Sequence, residues 1–371
     1  MSEAFRSRLA DYHLAQGATL GEYHGAIVPV RFSEAAAEYR ALREASGLLD
    51  LAFRAKFAMK GRDAQRFLHR IVSNDIKSLA PGQGTYAALL NAQGHILADL
   101  RIYVCEDRIL IDTDADLRDK AMTTLRRYII GEAVEAEAVE LDALGFEGPR
   151  ARGLLEKTLH IELPELGLFG HFETPYAGIP IRVVKASQTG ENGYEVWTET
   201  KGLMTVWGAA CGRAPSDGTL PCGTEAIEAL RIEAGIPRYG SELGEDTLPL
   251  EAGLWNALSF NKGCYVGQEI VERSRSRGHV NWKLAGLAGQ TGAPLARGEK
   301  LEANGREMGE ITSASFSWRL GKPIALGYVR REVAEPGTLL ATAGGAAVEV
   351  RTLPFSEGAQ AGREAPGGNE S

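Results

Sequence analysis

The sequence predicts an α+β fold that ends in a small all-β module, and three observations carry this expectation. Helical and strand periodicities alternate as far as about residue 282. Beyond residue 283 the helical signal fades into short strand-like runs split by turn clusters. A chain of 371 residues, 44% of them hydrophobic, can also bury a sizeable core, spread over two to three domains.

The elements follow in order. Residues 63–72 read as a helix, with Ala64, Phe67, Leu68, Ile71 and Val72 at helical spacing behind Asp63, a good N-cap residue. Residues 84–90 have strand character and lead into the turn Asn91-Ala92-Gln93-Gly94 and a long strand over 95–104. A third strand spans 108–113, and 116–130 return to helix. Two further strands, 179–186 and 194–198, are joined by a turn carrying Asn192-Gly193, which predicts a hairpin. Helices are expected over 202–211 and from Thr224 to a glycine C-cap at Gly235. After residue 283, Asn304-Gly305, Gly321-Lys322-Pro323, Glu335-Pro336-Gly337 and Gly344-Gly345 punctuate a small barrel or sandwich. Residues 356–371 carry almost no apolar anchor and are expected to be disordered. The expected domains are thus 1–142, 143–282 and 283–355, followed by a tail.

Composition excludes several functions. A net charge of -8 argues against a protein that coats nucleic acid. No apolar run is long enough for a membrane span, and the first residues, with Glu3, Arg6, Arg8 and Asp11, lack a secretory apolar core. Cys105, Cys211, Cys222 and Cys264 form no C-x-x-C pair, and the histidines are dispersed, so no protein-bound metal is expected. Scattered thiols fit a reducing, cytoplasmic setting.

Six places could carry chemistry. In Lys262-Gly263-Cys264-Tyr265-Val266-Gly267-Gln268-Glu269, a thiol beside a lysine and near a helix start is either a reactive thiolate or an ordinary buried cysteine. Asp99 shares a strand face with Leu97, Arg101 and Tyr103, which reads equally as a solvated face. Glu195 shares one with Trp197, and Arg231 lies late in its helix, where a cation complements the dipole. Tyr86, on the strand before Asn91, either stacks on a ligand or is half-buried. The run from Arg273 to His279, with Lys283, is the most basic patch, either solvated surface or a lure for an acidic group.

Lys262 to Glu269 resembles the K-G-C-[FY]-x-G-Q-E signature of the YgfZ family of folate-binding proteins. Gly61-Arg62-Asp63-Ala64, the stretch Asn91 to Leu100, Thr189 to Glu195, and Ala229 to Gly235 are similar to the glycine-cleavage T-protein superfamily. The resemblance implies a ring-like, three-domain aminomethyltransferase fold, with ferredoxin-like α/β lobes and a C-terminal β-barrel around a folate pocket. It implies that Asp99 polarises the one-carbon-bearing nitrogens of tetrahydrofolate, although the acidic pair usual there is Ala98-Asp99 here. It makes Glu195 the pterin anchor, a carboxylate able to pair with two adjacent N–H donors, and Arg231 a folate contact. The expected function is a monomeric, tetrahydrofolate-binding accessory protein for iron–sulfur enzymes, including those that modify transfer RNA, with Cys264 as its working centre. A lone cysteine lacks the other ligands that a permanent cluster needs. Two alternatives stand beside it: the aminomethyltransferase of glycine cleavage, and a folate-independent interaction scaffold.

Overall fold

The computed structural model describes residues 4–213, 218–276 and 280–355. The tail expected to be disordered, 356–371, lies outside the described residues.

The strands Gly84–Leu90, Ile96–Val104, Ile109–Asp114, Arg54–Lys60 and Glu135–Val139 form, in that order, an antiparallel five-stranded sheet. Alternation along Ile96–Val104 sends Ala98, Leu100 and Ile102 into a core with Phe67, Leu68 and Leu125 from the helices Ala64–Ile71 and Arg118–Arg127. The opposite face is not the solvated one that the alternation left open. Its Tyr103 meets Trp197 edge-on, with ring centroids 4.9 Å apart, so a second sheet covers it.

That second sheet has six strands, ordered His171–Tyr176, Ile179–Val184, Gly193–Thr198, Asp142–Glu147, Gly47–Asp50 and Leu220–Cys222. Helices Ala151–Leu159 and Thr200–Arg213 bury Leu155, Leu203 and Trp207 against Phe146 and Val196. The expected hairpin at Asn192-Gly193 takes another form. Val184 pairs with Glu195, so the connection is a long loop. Glu147 organises it by accepting hydrogen bonds from the Gln188 and Thr189 amides, at 2.6 and 3.1 Å, and from the Ser187 hydroxyl at 2.8 Å. Gly193 is needed because a Cβ there would stand 2.5 Å from the Ala186 carbonyl oxygen.

The C-terminal strands close into the expected barrel, ordered Trp282–Gly289, Lys322–Arg330, Arg306–Ser317, Lys300–Ala303, Leu339–Thr342 and Ala347–Arg351. The helix Thr224–Ala234 ends, as expected, on Gly235 at φ +69° and packs against the barrel. Among the described residues, no helix is long and apolar enough to cross a membrane.

Candidate functional site

Between the two sheets, the loop after Gly235 and the barrel lies a cavity of about 470 Å³. Its polar wall is drawn from Arg54, Tyr86, Asp99, Arg101, Gln188 and Arg238. Leu168 and Trp255, 64% and 42% exposed, line it with apolar surface.

The sheet builds this wall by register. Tyr86 pairs across the ladder with Arg101, and Arg101 with Asp112, so polar side chains on three neighbouring strands face one another. Arg54 grips Asp112 through two nitrogens, at 3.1 and 2.5 Å, and Asp114 through the third, at 2.6 Å. Lys56 reaches the other Asp112 oxygen at 3.3 Å. Burial pushes Asp112 up, but the Arg54 and Lys56 cations outweigh it and hold the carboxyl below its ordinary range.

Asp99 is balanced the other way. Burial raises it, the Asp114 carboxylate adds to that, and Arg54 and Arg101 only partly oppose. The Tyr86 hydroxyl donates to Asp99 Oδ2 at 3.2 Å, whereas Oδ1 is buried without a partner among the described residues. A buried carboxylate oxygen with no donor is costly, and it suits a ligand that brings an N–H.

Asp99 and Tyr86 therefore come together on the cavity wall, and the other expected site residues do not join them. Glu195 is fully buried behind Arg101, and its oxygens are taken. Oε1 accepts from Arg101 Nη1 and Gln188 Nε2, both at 2.9 Å, and Oε2 from the Trp197 indole at 2.7 Å. In this arrangement it has no pair of free oxygens to offer a pterin. Arg231 is also fully buried, away from the cavity lining. It bonds Glu228 twice at 2.7 Å, Glu242 at 3.0 Å, the Ile236 carbonyl at 2.7 Å and Ser313 at 2.9 Å, tying its helix to the barrel. Its fork is engaged by the helix and the barrel.

The Lys262–Glu269 motif has a structural explanation. Lys262 donates to the carbonyls of His69, Val72 and Asn74, capping the end of helix Ala64–Ile71. Burial pulls this ammonium down to about 8. Gly267, at φ +81°, rests on the Asn91–Gly94 turn, where a Cβ would come within 2.6 Å of the Asn91 carbonyl oxygen. Tyr265 is buried under Lys262, Gln268 accepts from the Tyr265 amide at 3.2 Å, and Glu269 pairs with Arg273 at 2.8 Å. Gly263 and Cys264 are exposed and do not line the cavity. Of the basic patch, Arg275 stacks on Phe260 with 4.2 Å to the ring centre, while Arg277, Gly278 and His279 lie outside the described residues.

Sequence reasoning missed Arg54, Gln188 and Arg238. Arg101 carried the one available signal, its shared face with Asp99. His24, Asp114 and Asp116 bring ligand-type atoms within 4.8 Å of one another, a cluster that dispersed histidines did not announce.

Comparisons with known proteins agree over nearly the whole chain. Residues 9–262 match the GCVT N-terminal domain, and residues 283–355 the glycine cleavage T-protein C-terminal barrel domain. An aminomethyltransferase of Rippkaea orientalis is 32% identical over 350 residues, covering 92% of this chain and 93% of the relative. One from Bacillus subtilis is 29% identical over 340 residues, covering 90% and 93%. The crystal structure of the glycine cleavage system aminomethyltransferase T from Bartonella henselae superposes with a TM-score of 0.88 at 27% identity, covering 95% of this chain and 98% of that one. These likenesses overturn the iron–sulfur accessory reading, which rested on the eight residues 262–269. Neither iron–sulfur partners nor a role in transfer RNA modification finds support in them.

Proposed function

The chain belongs to the glycine cleavage T-protein family, and on that premise we propose that it is an aminomethyltransferase, passing a one-carbon unit from a lipoyl-bearing carrier protein to tetrahydrofolate. The observation that carries this reading is the unpartnered Oδ1 of Asp99 on the cavity wall. Tetrahydrofolate, when bound, supplies the nitrogens that take up the one-carbon unit. The volume of about 470 Å³ falls in the usual range of small-molecule sites, roughly 300–1,000 Å³.

The side chains divide the work. Asp99 Oδ1 receives an N–H of the ligand, and the raised affinity of Asp99 for a proton suits a group that accepts one during transfer. Tyr86 fixes the other oxygen, so the carboxylate cannot rotate away. Arg54 and Arg101 keep Asp99 ionisable despite its burial. Leu168 and Trp255 offer the ligand apolar surface.

The test is a coupled assay with aminomethylated lipoyl carrier protein, reading ammonia release and methylene-tetrahydrofolate formation together. Turnover that requires tetrahydrofolate is expected. No turnover, under conditions in which the Bacillus subtilis relative is active, would remove the proposal. In the same assay Cys264→Ser should leave both rate and thermal midpoint unchanged, because the thiol is exposed and off the cavity wall. A rate loss beyond about tenfold, more than ordinary surface substitutions produce, would return it to the site.

A further inference from the structure

Three guanidinium groups line the cavity, and they are not equally committed. Arg54 is held by Asp112 and Asp114 at 2.5 to 3.1 Å. Arg101 is held by Glu195 at 2.9 Å and by the Ser187 carbonyl at 3.0 Å. Among the described residues, Arg238 has only long polar contacts, 3.5 Å to Glu228 and 3.3 Å to the Gln188 side-chain oxygen. Its neighbouring carboxylate is already spent, since Glu228 accepts two 2.7 Å bonds from Arg231 and another from the Tyr23 hydroxyl.

Arg238 is nonetheless built firmly into place. It is 7% exposed, and its guanidinium lies over the Tyr23 and Phe53 rings, 4.8 and 5.4 Å from their centres. Its backbone amide donates to Glu242 at 3.0 Å, fixing the turn that presents it. Burial, only partly opposed by the Glu242 carboxylate, pulls it down to about 10. A planar fork held rigid, desolvated and short of acceptors is the arrangement that binds an electron-rich oxygen well.

We infer that Arg238 is a ligand-binding residue, which receives a carbonyl or carboxylate oxygen of the bound ligand while Asp99 receives an N–H. The inference rests on the folate reading for the ligand's identity. It gives the wall a polarity absent from the sequence expectation: Gln188 hands its oxygen to Arg238 and its amide to Glu195, so donors rather than a free carboxylate face the ligand here.

Tetrahydrofolate offers the ring oxo group and, on its benzoylglutamate tail, an amide carbonyl and carboxylates, whereas 6-methyltetrahydropterin keeps only the ring oxo group. Calorimetric titration of the native chain, Arg238→Gln and Arg238→Lys with both compounds separates them. Arg238→Gln should bind tetrahydrofolate roughly 10- to 100-fold more weakly, as for hydrogen bonds to a charged group. An equal loss with 6-methyltetrahydropterin assigns the ring oxygen, and a loss confined to tetrahydrofolate assigns an oxygen of the tail. Arg238→Lys keeps the charge without the fork, and should recover only part of the affinity. It also carries the test if the glutamine variant fails to fold. Binding of both compounds within about twofold of native by a folded variant, well inside the loss expected for a charged hydrogen bond, overturns the inference and leaves the folate reading intact. Failure of the native chain to bind either compound overturns both.

Discussion

In an Asp99→Asn variant, one-carbon transfer is expected to fall by roughly 10²- to 10⁴-fold, the usual contribution of a positioned proton acceptor, while the protein stays folded. The amide keeps the shape of the side chain and one oxygen for Tyr86, but it cannot take up a proton. The loss should therefore appear in kcat, and KM should rise as well, because the amide nitrogen in place of Oδ1 cannot receive the ligand's N–H. Stability moves the other way. Burial and Asp114 raise Asp99 above its ordinary value, so the native state binds this proton more tightly than the unfolded chain does. The stability tied to that proton is fully present below the unfolded value of about 3.9, and is lost as pH rises through the folded value. At neutral pH the ionised carboxylate is thus a cost, and asparagine removes it. Urea unfolding at pH 7 should show the variant at least as stable as the native chain, with the difference shrinking in acid. A variant that loses activity and stability together at pH 7 would mean that Asp99 holds the fold rather than the chemistry.

Arg54→Met is expected to be the most destabilising change among the cavity residues, costing about 3–5 kcal/mol. It removes the partner from Asp112 and Asp114, which are both almost fully buried. Asp112 is held below its ordinary range in the native state, so its contribution is present above the unfolded value of about 3.9 and lost as pH falls through the folded one. Without Arg54 that acid-side dependence should flatten. Combining Arg54→Met with Asp112→Leu should recover part of the loss, because the two groups share one interaction. Strict additivity of the two substitutions would contradict the network as described.

Legibility in the sequence followed the range of the interactions. The helix Ala64–Ile71, the barrel and the Gly235 C-cap were readable because periodicity and glycine act locally. The hairpin misled because Asn192-Gly193 has the right local chemistry, while Glu147, more than 40 residues earlier, dictates the loop. Asp99 was found, but its surroundings were not. Arg54, Gln188 and Arg238 meet it only through packing, and no spacing along the chain encodes that meeting. Glu195 and Arg231 lie off the cavity lining for the same reason, since Arg101, Gln188, Glu242 and Ser313, which engage them, are brought there by the fold. The cysteine motif was conspicuous for its glycines, and Gly267 answers to the Asn91 turn rather than to the thiol.

The six-stranded sheet is assembled from stretches that lie far apart in the chain. Gly47–Asp50 pairs on one edge with Asp142–Glu147 and on the other with Leu220–Cys222, and the whole five-stranded sheet is encoded before the first of these partners. During synthesis at ~5–20 residues per second, roughly 170 residues must follow that strand before its second edge is covered, a wait of about 10 to 35 s. The five-stranded sheet, whose strands all fall within 54–139, can form well before then. A nascent chain therefore passes through a stage with one half folded and a bare apolar strand beside it. Slow translation between residues 147 and 220 would lengthen the period in which chaperones, or other nascent chains, compete for that edge.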